Sequence, residues 1–248
     1  MVKGLDTFQK YFADYEEQYV LIGGAACDIL FESNEVNFRA TRDLDMVLIV
    51  EALTPEFGEK FWEFIVDGKY RNKATNGSNP QFYRFDKPED DNFPKMIELF
   101  CRSDFKLKNA KGITPIHIDD EVSSLSAILL NDDYYKALLN GKEVRNGLSV
   151  LRPEYIILFK AKAYLDLQKR KDSGEKLDSS DIKKHKKDVL RIASELMLEK
   201  VEELPIAVDA DIHSFIDLLE QEPFDQNSLK RYGLKNENVV ELLKRVFG

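Results

Sequence analysis

Apolar residues at Phe8, Tyr11, Phe12 and Tyr15 recur at helical spacing, which predicts an amphipathic helix over residues 5–18. A short apolar run at 19–22 reads as a buried strand, and 24–32 as a helix with Ala25, Ala26, Ile29 and Leu30 turned inward. Residues 45–50, dense in apolar and β-branched side chains, predict a second strand. Thr54-Pro55 supplies an N-cap and a first-turn proline for a helix to about residue 66 that carries Phe57, Phe61, Trp62 and Ile65 inward. The Asn- and Gly-rich stretch 69–80 predicts a loop, 81–86 an alternating strand, 87–94 an acidic turn and 95–101 another strand. Further extended segments are expected at 113–118, 123–130 and 147–151, with a helix over 132–139.

Past Pro153 the strand signals stop. Residues 153–168, 180–198 and 211–246 are helical by pattern, and residues 179–181 (Ser-Ser-Asp) offer N-caps. These periods predict an α/β (α+β) protein, a mixed twisted sheet flanked by helices, followed by a helical C-terminal part. The expected division is 1–152 and 153–248.

A chain of 248 residues is long enough for a substantial core. A net charge of −9 argues against a general nucleic-acid coat, although Lys and Arg are locally dense at 169–171 and 183–187. Cys27 and Cys101 are the only cysteines and read as small core residues, with neither a disulfide framework nor a zinc site expected. The N-terminal residues include acids and lack the apolar run of a signal peptide, and no apolar run has membrane-spanning length; a cytoplasmic protein is expected.

The densest chemistry lies in residues 20–50. An apolar strand ends in Gly23-Gly24, a helix follows, and Arg39-Ala-Thr41-Arg-Asp43-Leu-Asp45 leads into the next strand. Residues two apart on a strand share a face, so Asp43 and Asp45 project together while Leu44 turns away. Two neighbouring carboxylates repel unless a cation lies between them. A Gly-Gly turn opening a helix presents backbone N–H groups suited to phosphate. A hard divalent ion beside a phosphate cradle is the equipment of phosphoryl and nucleotidyl transfer. Taken alone, a D-x-D is ordinarily an edge or turn feature; the order of the elements makes it informative.

That order resembles the nucleotidyltransferase superfamily that includes DNA polymerase beta. Within it, the segment is most similar to the AbiEii/AbiGii toxin-type nucleotidyltransferases, whose signature reads GG-x-A, a short helix, then R-x-T-x-D-L-D. Gly23, Gly24, Ala26 (or Ala25), Arg39, Thr41, Asp43, Leu44 and Asp45 hold those positions. The resemblance implies a third carboxylate from a neighbouring strand, and Glu98, inside the apolar run Met96-Ile-Glu-Leu-Phe100, fits; Asp104 lies beyond that strand. Arg152-Pro-Glu and the later K-x-x-A resemble a second toxin-type segment in which Lys160 takes the phosphate-contacting lysine and Ala163 the alanine. Lys162 lies about 200° round the helix. Asp188, in Lys187-Asp-Val, takes a supporting aspartate; without the resemblance it would be a helix pair with Arg191. Arg39 is suited to a phosphate or to Glu98, and Thr41 to a phosphate oxygen or the turn.

The resemblance implies a metal-dependent enzyme that moves an NMP group from an NTP to a hydroxyl. Asp43, Asp45 and Glu98 would hold Mg²⁺ (or Mn²⁺), and Gly23, Gly24, Arg39, Thr41, Lys160 and Asp188 would bind the nucleotide. The acceptor is a small molecule, a protein side chain or an RNA end, and an antitoxin partner is conceivable. The rivals are a catalytically quiet nucleotide- or partner-binding member, and an aminoglycoside-type enzyme whose acidic Glu89-Asp-Asp91 would suit a cationic sugar. His117, His185 and His213 are scattered, His185 in a basic run that predicts solvent exposure. No G-x-S-x-G, P-loop or G-x-G-x-x-G occurs.

Overall fold

A computed structural model describes residues 2–32, 43–72, 82–102 and 128–248. Arg39, Thr41, Asp104, His117 and the strand expected at 113–118 lie outside the described residues. The chain divides into two compact units: residues 1–119 with 142–151, and residues 120–141 with 152–248. This division is discontinuous, with 120–141 grouped with 152–248.

The first unit is a mixed sheet flanked by helices. Its strands are β1 (Tyr19–Leu21), β2 (Asp43–Leu48), β3 (Arg71–Asn72), β4 (Phe82–Asp86), β5 (Met96–Cys101), β6 (Lys142–Arg145) and β7 (Leu148–Leu151), in the order β3-β4-β5-β2-β1-β7-β6. β2 runs parallel to β5 and β1 to β7; the other pairs are antiparallel. The helices are α1 (Leu5–Phe12), α2 (Gly23–Glu32) and α3 (Pro55–Asp67).

Register and side-chain alternation sort the sheet into two faces. Tyr19, Leu21, Leu44, Met46, Ile97, Leu99 and Phe85 share one face, and all are fully buried. α1 and α3 cover it with aromatic rings: Phe8 lies 5.5 Å from Tyr19, edge-on, and Phe61 lies 5.5 Å from Phe85. Such ring pairs add about 0.5–1.5 kcal/mol beyond their buried area. The opposite face carries Asp43, Asp45, Glu98, Arg84, Met96 and Asp86. The sheet thus has an oily side that holds it and a charged side available for chemistry.

Local signals explain the element ends. Thr54 caps α3, its Oγ1 accepting from Phe57 N at 3.3 Å, and Pro55 opens the helix as expected. The loop expected over 69–80 contains the two-residue β3, which pairs antiparallel with β4. β6 was not anticipated, although Asn146-Gly147 is a hairpin signal. Both residues take positive φ (52° and 69°), as a two-residue turn requires, and Arg145 pairs with Leu148. Residues 128–130 are helical where an extended segment was expected.

The second unit is all-helical: α4 (Asp132–Asn140), α5 (Pro153–Asp172), α6 (Ser179–Glu195), α7 (Ile206–Gln221), α8 (Gln226–Arg231) and α9 (Asn236–Phe247). Asp178 caps α6, one residue before the expected caps, accepting from Ser180 N at 2.8 Å. Tyr134 packs edge-on to Phe159 (5.4 Å) and Tyr164 to Phe215 (5.7 Å). His185 is buried, contrary to expectation: it lies on the inner face of α6 with Ile182, Val189 and Ile192, and only its lysine neighbours face water. Cys27 and Cys101 are both buried thiols. No helix among the described residues is long and apolar enough to cross a membrane.

Phe61 is fully buried and touches Phe12, Phe57, Trp62 and Phe85. Truncation in Phe61→Ala is expected to cost about 3–5 kcal/mol. Denaturant unfolding followed by circular dichroism measures it, and a loss below 1 kcal/mol would mean that this ring cluster does not hold the sheet.

Candidate active site

The charged face of the sheet begins with a backbone constraint. β1 ends at Leu21, and Ile22 N donates to Asp45 O at 3.0 Å, which keeps the chain against β2 for one residue more. Gly23 then takes φ +62° and opens α2. A Cβ on Gly23 would lie 2.2 Å from Asp45 Oδ2, well inside contact distance. Only glycine lets the carboxylate sit against this turn. Gly23 and Gly24 therefore form the first turn of a helix whose opening lies beside Asp45.

Parallel pairing of β2 with β5 sets Asp43 opposite Met96 and Asp45 opposite Glu98. Antiparallel pairing of β5 with β4 sets Glu98 opposite Arg84. One row across three strands therefore reads Asp45, Glu98, Arg84, with Asp43 one pleat away on the same face. Asp43 and Asp45 are half-buried, while Glu98 is 6% exposed.

Arg84 grips Glu98. Its Nε donates to Glu98 Oε1 at 2.8 Å, and its Nη2 lies 2.6 Å from the same oxygen. Burial raises the Glu98 pKa, the largest influence. The Arg84 charge and hydrogen bond and a hydrogen bond with Asp45 pull it down, and the Asp43 charge pushes it up; the net direction is upward. Asp45 and Glu98 thus set two acids side by side, with the Arg84 cation on one of them.

Arg84 was not anticipated. The residue expected to reach Glu98 was Arg39, which lies outside the described residues, as does Thr41. The signal for Arg84 was present: it alternates with the apolar Phe85 on β4, and antiparallel pairing with β5 fixes its partner.

Lys160 and Asp188 come together within the helical unit. Lys160 Nζ on α5 lies 2.9 Å from Asp188 Oδ2 on α6, with both side chains largely buried. Arg191, the local partner that helix spacing offers Asp188, bonds Glu195 through Nε at 2.8 Å. Lys162 points elsewhere: its Nζ lies 3.0 Å from Asp166 and 3.2 Å from Asp211, on α7.

Asp43, Asp45 and Glu98 offer only oxygen donors, the set a hard divalent cation prefers. The contact between Asp45 and Glu98, which demands a positive charge, fits such an ion. Among the described residues, however, no three His, Cys, Asp or Glu side chains are grouped to hold a metal ion as they stand. Both Arg84 contacts fall on Glu98 Oε1.

Two measurements follow from this geometry. Gly23→Ala places a side chain in the left-handed region and against Asp45, and is expected to lower stability by at least about 1–2 kcal/mol in thermal unfolding. An unchanged melting temperature would show that the turn does not need glycine. For Glu98, the folded pKa lies above the ordinary value of 4.5. The folded state therefore binds the extra proton, and stability is greatest below 4.5 and falls as pH rises through the folded value. In chelator, the difference in stability between Glu98→Gln and wild type should grow with pH over that window; a constant difference would contradict the raised pKa.

The chain is similar to a solved structure of an antigenic nucleotidyltransferase-like protein from Paracoccidioides brasiliensis. The two share 14% identity with a TM-score of 0.47, over 97% of this chain and 93% of that one. No family model matches the chain, and no curated protein matches it significantly.

Proposed function

We propose that this protein is a nucleotidyltransferase that moves an NMP group from an NTP to the hydroxyl of an acceptor, with Mg²⁺ or Mn²⁺ held by Asp43, Asp45 and Glu98. The observation that carries the reading is the placement of Asp45 directly across from Glu98, against the Gly23 turn. The sequence order from Gly23 through Asp45 supports it by resemblance. The bound ion would supply charge stabilisation to the transferring phosphoryl group and lower the pKa of the acceptor hydroxyl.

The protein's own part is positioning. Gly23 and Gly24 let the α2 backbone approach the phosphates without a Cβ in the way. The acceptor oxygen bonds to the α-phosphorus as the bond to pyrophosphate breaks. Lys160 and Asp188 are proposed to assist nucleotide phosphate on the strength of the resemblance. A role as a toxin with an antitoxin partner rests on the same footing.

One observation favours a second reading, nucleotide binding without transfer. Arg84 already neutralises Glu98, which would leave the third carboxylate engaged. Turnover separates the two readings.

Calorimetry with ATP, GTP, CTP and UTP, in Mg²⁺ and in chelator, tests the proposal. Binding is expected only with the ion, and Asp43→Asn or Asp45→Asn should abolish transfer while leaving metal-free stability equal or slightly higher. Equal nucleotide binding in chelator would remove the metal assignment.

A further inference from the structure

Glu98 reaches the other two acids from a neighbouring strand. Asp45 flanks it on the β2 side and Arg84 on the β4 side. A glutamate side chain turns about several bonds, so its place in the strand does not by itself fix where its two carboxylate oxygens point. The neighbours across the row fix that.

The Arg84 contact has an uncommon form. An arginine fork frequently spans a carboxylate, one N–H to each oxygen. Here Nε at 2.8 Å and Nη2 at 2.6 Å converge on Oε1, and Oε2 is not part of that fork. On its other flank the Glu98 carboxyl lies within hydrogen-bond reach of Asp45. One oxygen is thus pinned from the β4 side while the group as a whole still addresses β2. Arg84 is itself well anchored. Phe85, the next residue, turns to the opposite face, is fully buried, and packs 5.5 Å from Phe61 and 6.0 Å from Trp62. The aromatic layer that holds the sheet therefore also holds the strand that carries the guanidinium.

Charge alone would give Arg84 the opposite role, because a cation beside an acidic site repels a second cation. An arginine kept there must contribute something that outweighs the repulsion. Orientation is such a contribution: outer partners that hold metal ligands in place are typically worth roughly 10–100-fold in metal affinity.

We propose that Arg84 is a positioning residue that pins Glu98 through Oε1 and so leaves Oε2 as the donor to the divalent ion shared with Asp43 and Asp45, a role that rests on the metal-dependent reading of the site. Arg84 then serves the third carboxylate instead of keeping it occupied. The two roles have opposite signs. Removing an arginine that occupies Glu98 tightens cation binding, and removing one that positions Glu98 weakens it.

The test is a Mn²⁺ titration of the full chain without nucleotide, with the free ion followed by electron paramagnetic resonance and the fold of each variant checked by circular dichroism. Wild type should bind, and Asp45→Asn should lose binding. Arg84→Gln should weaken binding by roughly tenfold or more. Arg84→Lys should retain most of the affinity, because one ammonium can serve the single oxygen that both guanidinium contacts address. Arg84→Gln leaves a buried carboxylate without its cation and so lowers stability. The substitution is therefore repeated in Glu98→Gln, where that charge is gone. There it should weaken binding no further, since its effect passes through Glu98. Unchanged or tighter binding in Arg84→Gln would overturn the positioning role and leave the metal site standing. Further weakening in the Glu98→Gln background would overturn it as well, because Arg84 would then act by another route. A wild type that binds Mn²⁺ no better than Asp45→Asn overturns the metal-dependent reading, and the role of Arg84 with it.

Discussion

The parallel pairing of β2 with β5 governs the chemistry of the sheet unit. Parallel strands lie in the middle of sheets because both faces must be covered, and their residues are accordingly apolar. Here that rule is broken at one row. Asp45 and Glu98 are register partners, and Glu98 is almost wholly buried. Two acids so placed would oppose folding if both were ionised and alone. Arg84 from the next strand offsets the charge, and burial raises the Glu98 pKa. The Gly23 turn and the α2 opening lie against this row.

The oily face tolerates the charged one. Phe8, Phe12, Phe57, Phe61 and Phe64 are fully buried, and they bind α1 and α3 to the sheet from the side away from the carboxylates. Stability and chemistry are thereby assigned to opposite faces of the same strands. Proteins that bury charge for function carry the cost elsewhere, and here the aromatic layer behind the row is the evident counterweight.

Much of this was legible in the sequence, for physical reasons. Strands with strong alternation or apolar runs, β2, β4 and β5, lie close to their expected bounds, because burial on a pleated surface leaves a period of two. The Thr54-Pro55 helix start is local chemistry and was equally readable. What sequence pattern could not supply was long-range pairing. Arg84 reads as one charge in an alternating strand until β4 is laid beside β5. Lys160 and Asp188 are 28 positions apart and meet only because α5 packs on α6. His185 was misjudged for a related reason: a run of lysines looks solvated, yet one position in each helical turn faces the core. The Asn146-Gly147 turn was legible and missed, and with it β6. Resemblance, not pattern, nominated Glu98 as the third acid; the register then placed it opposite Asp45.

The discontinuous division of the chain has a consequence for how the protein is made. The helix α4 is synthesised before β6 and β7, yet it belongs with helices that follow residue 152. Its buried residues Tyr134, Tyr135 and Leu138 have no permanent cover until α5 and α7 exist. Asp133 Oδ2 likewise waits for Ala207 N, and Tyr134 Oη for Asp211. The sheet can close once β7 has emerged, whereas α4 waits for α5 and for α7, which begins 55 positions after Leu151. A fragment cut at the end of the sheet would keep that helix without its partners, and the helical remainder would lack one of its layers. Each unit is discontinuous in sequence, so neither can be inherited, expressed or lost as a simple half of the chain.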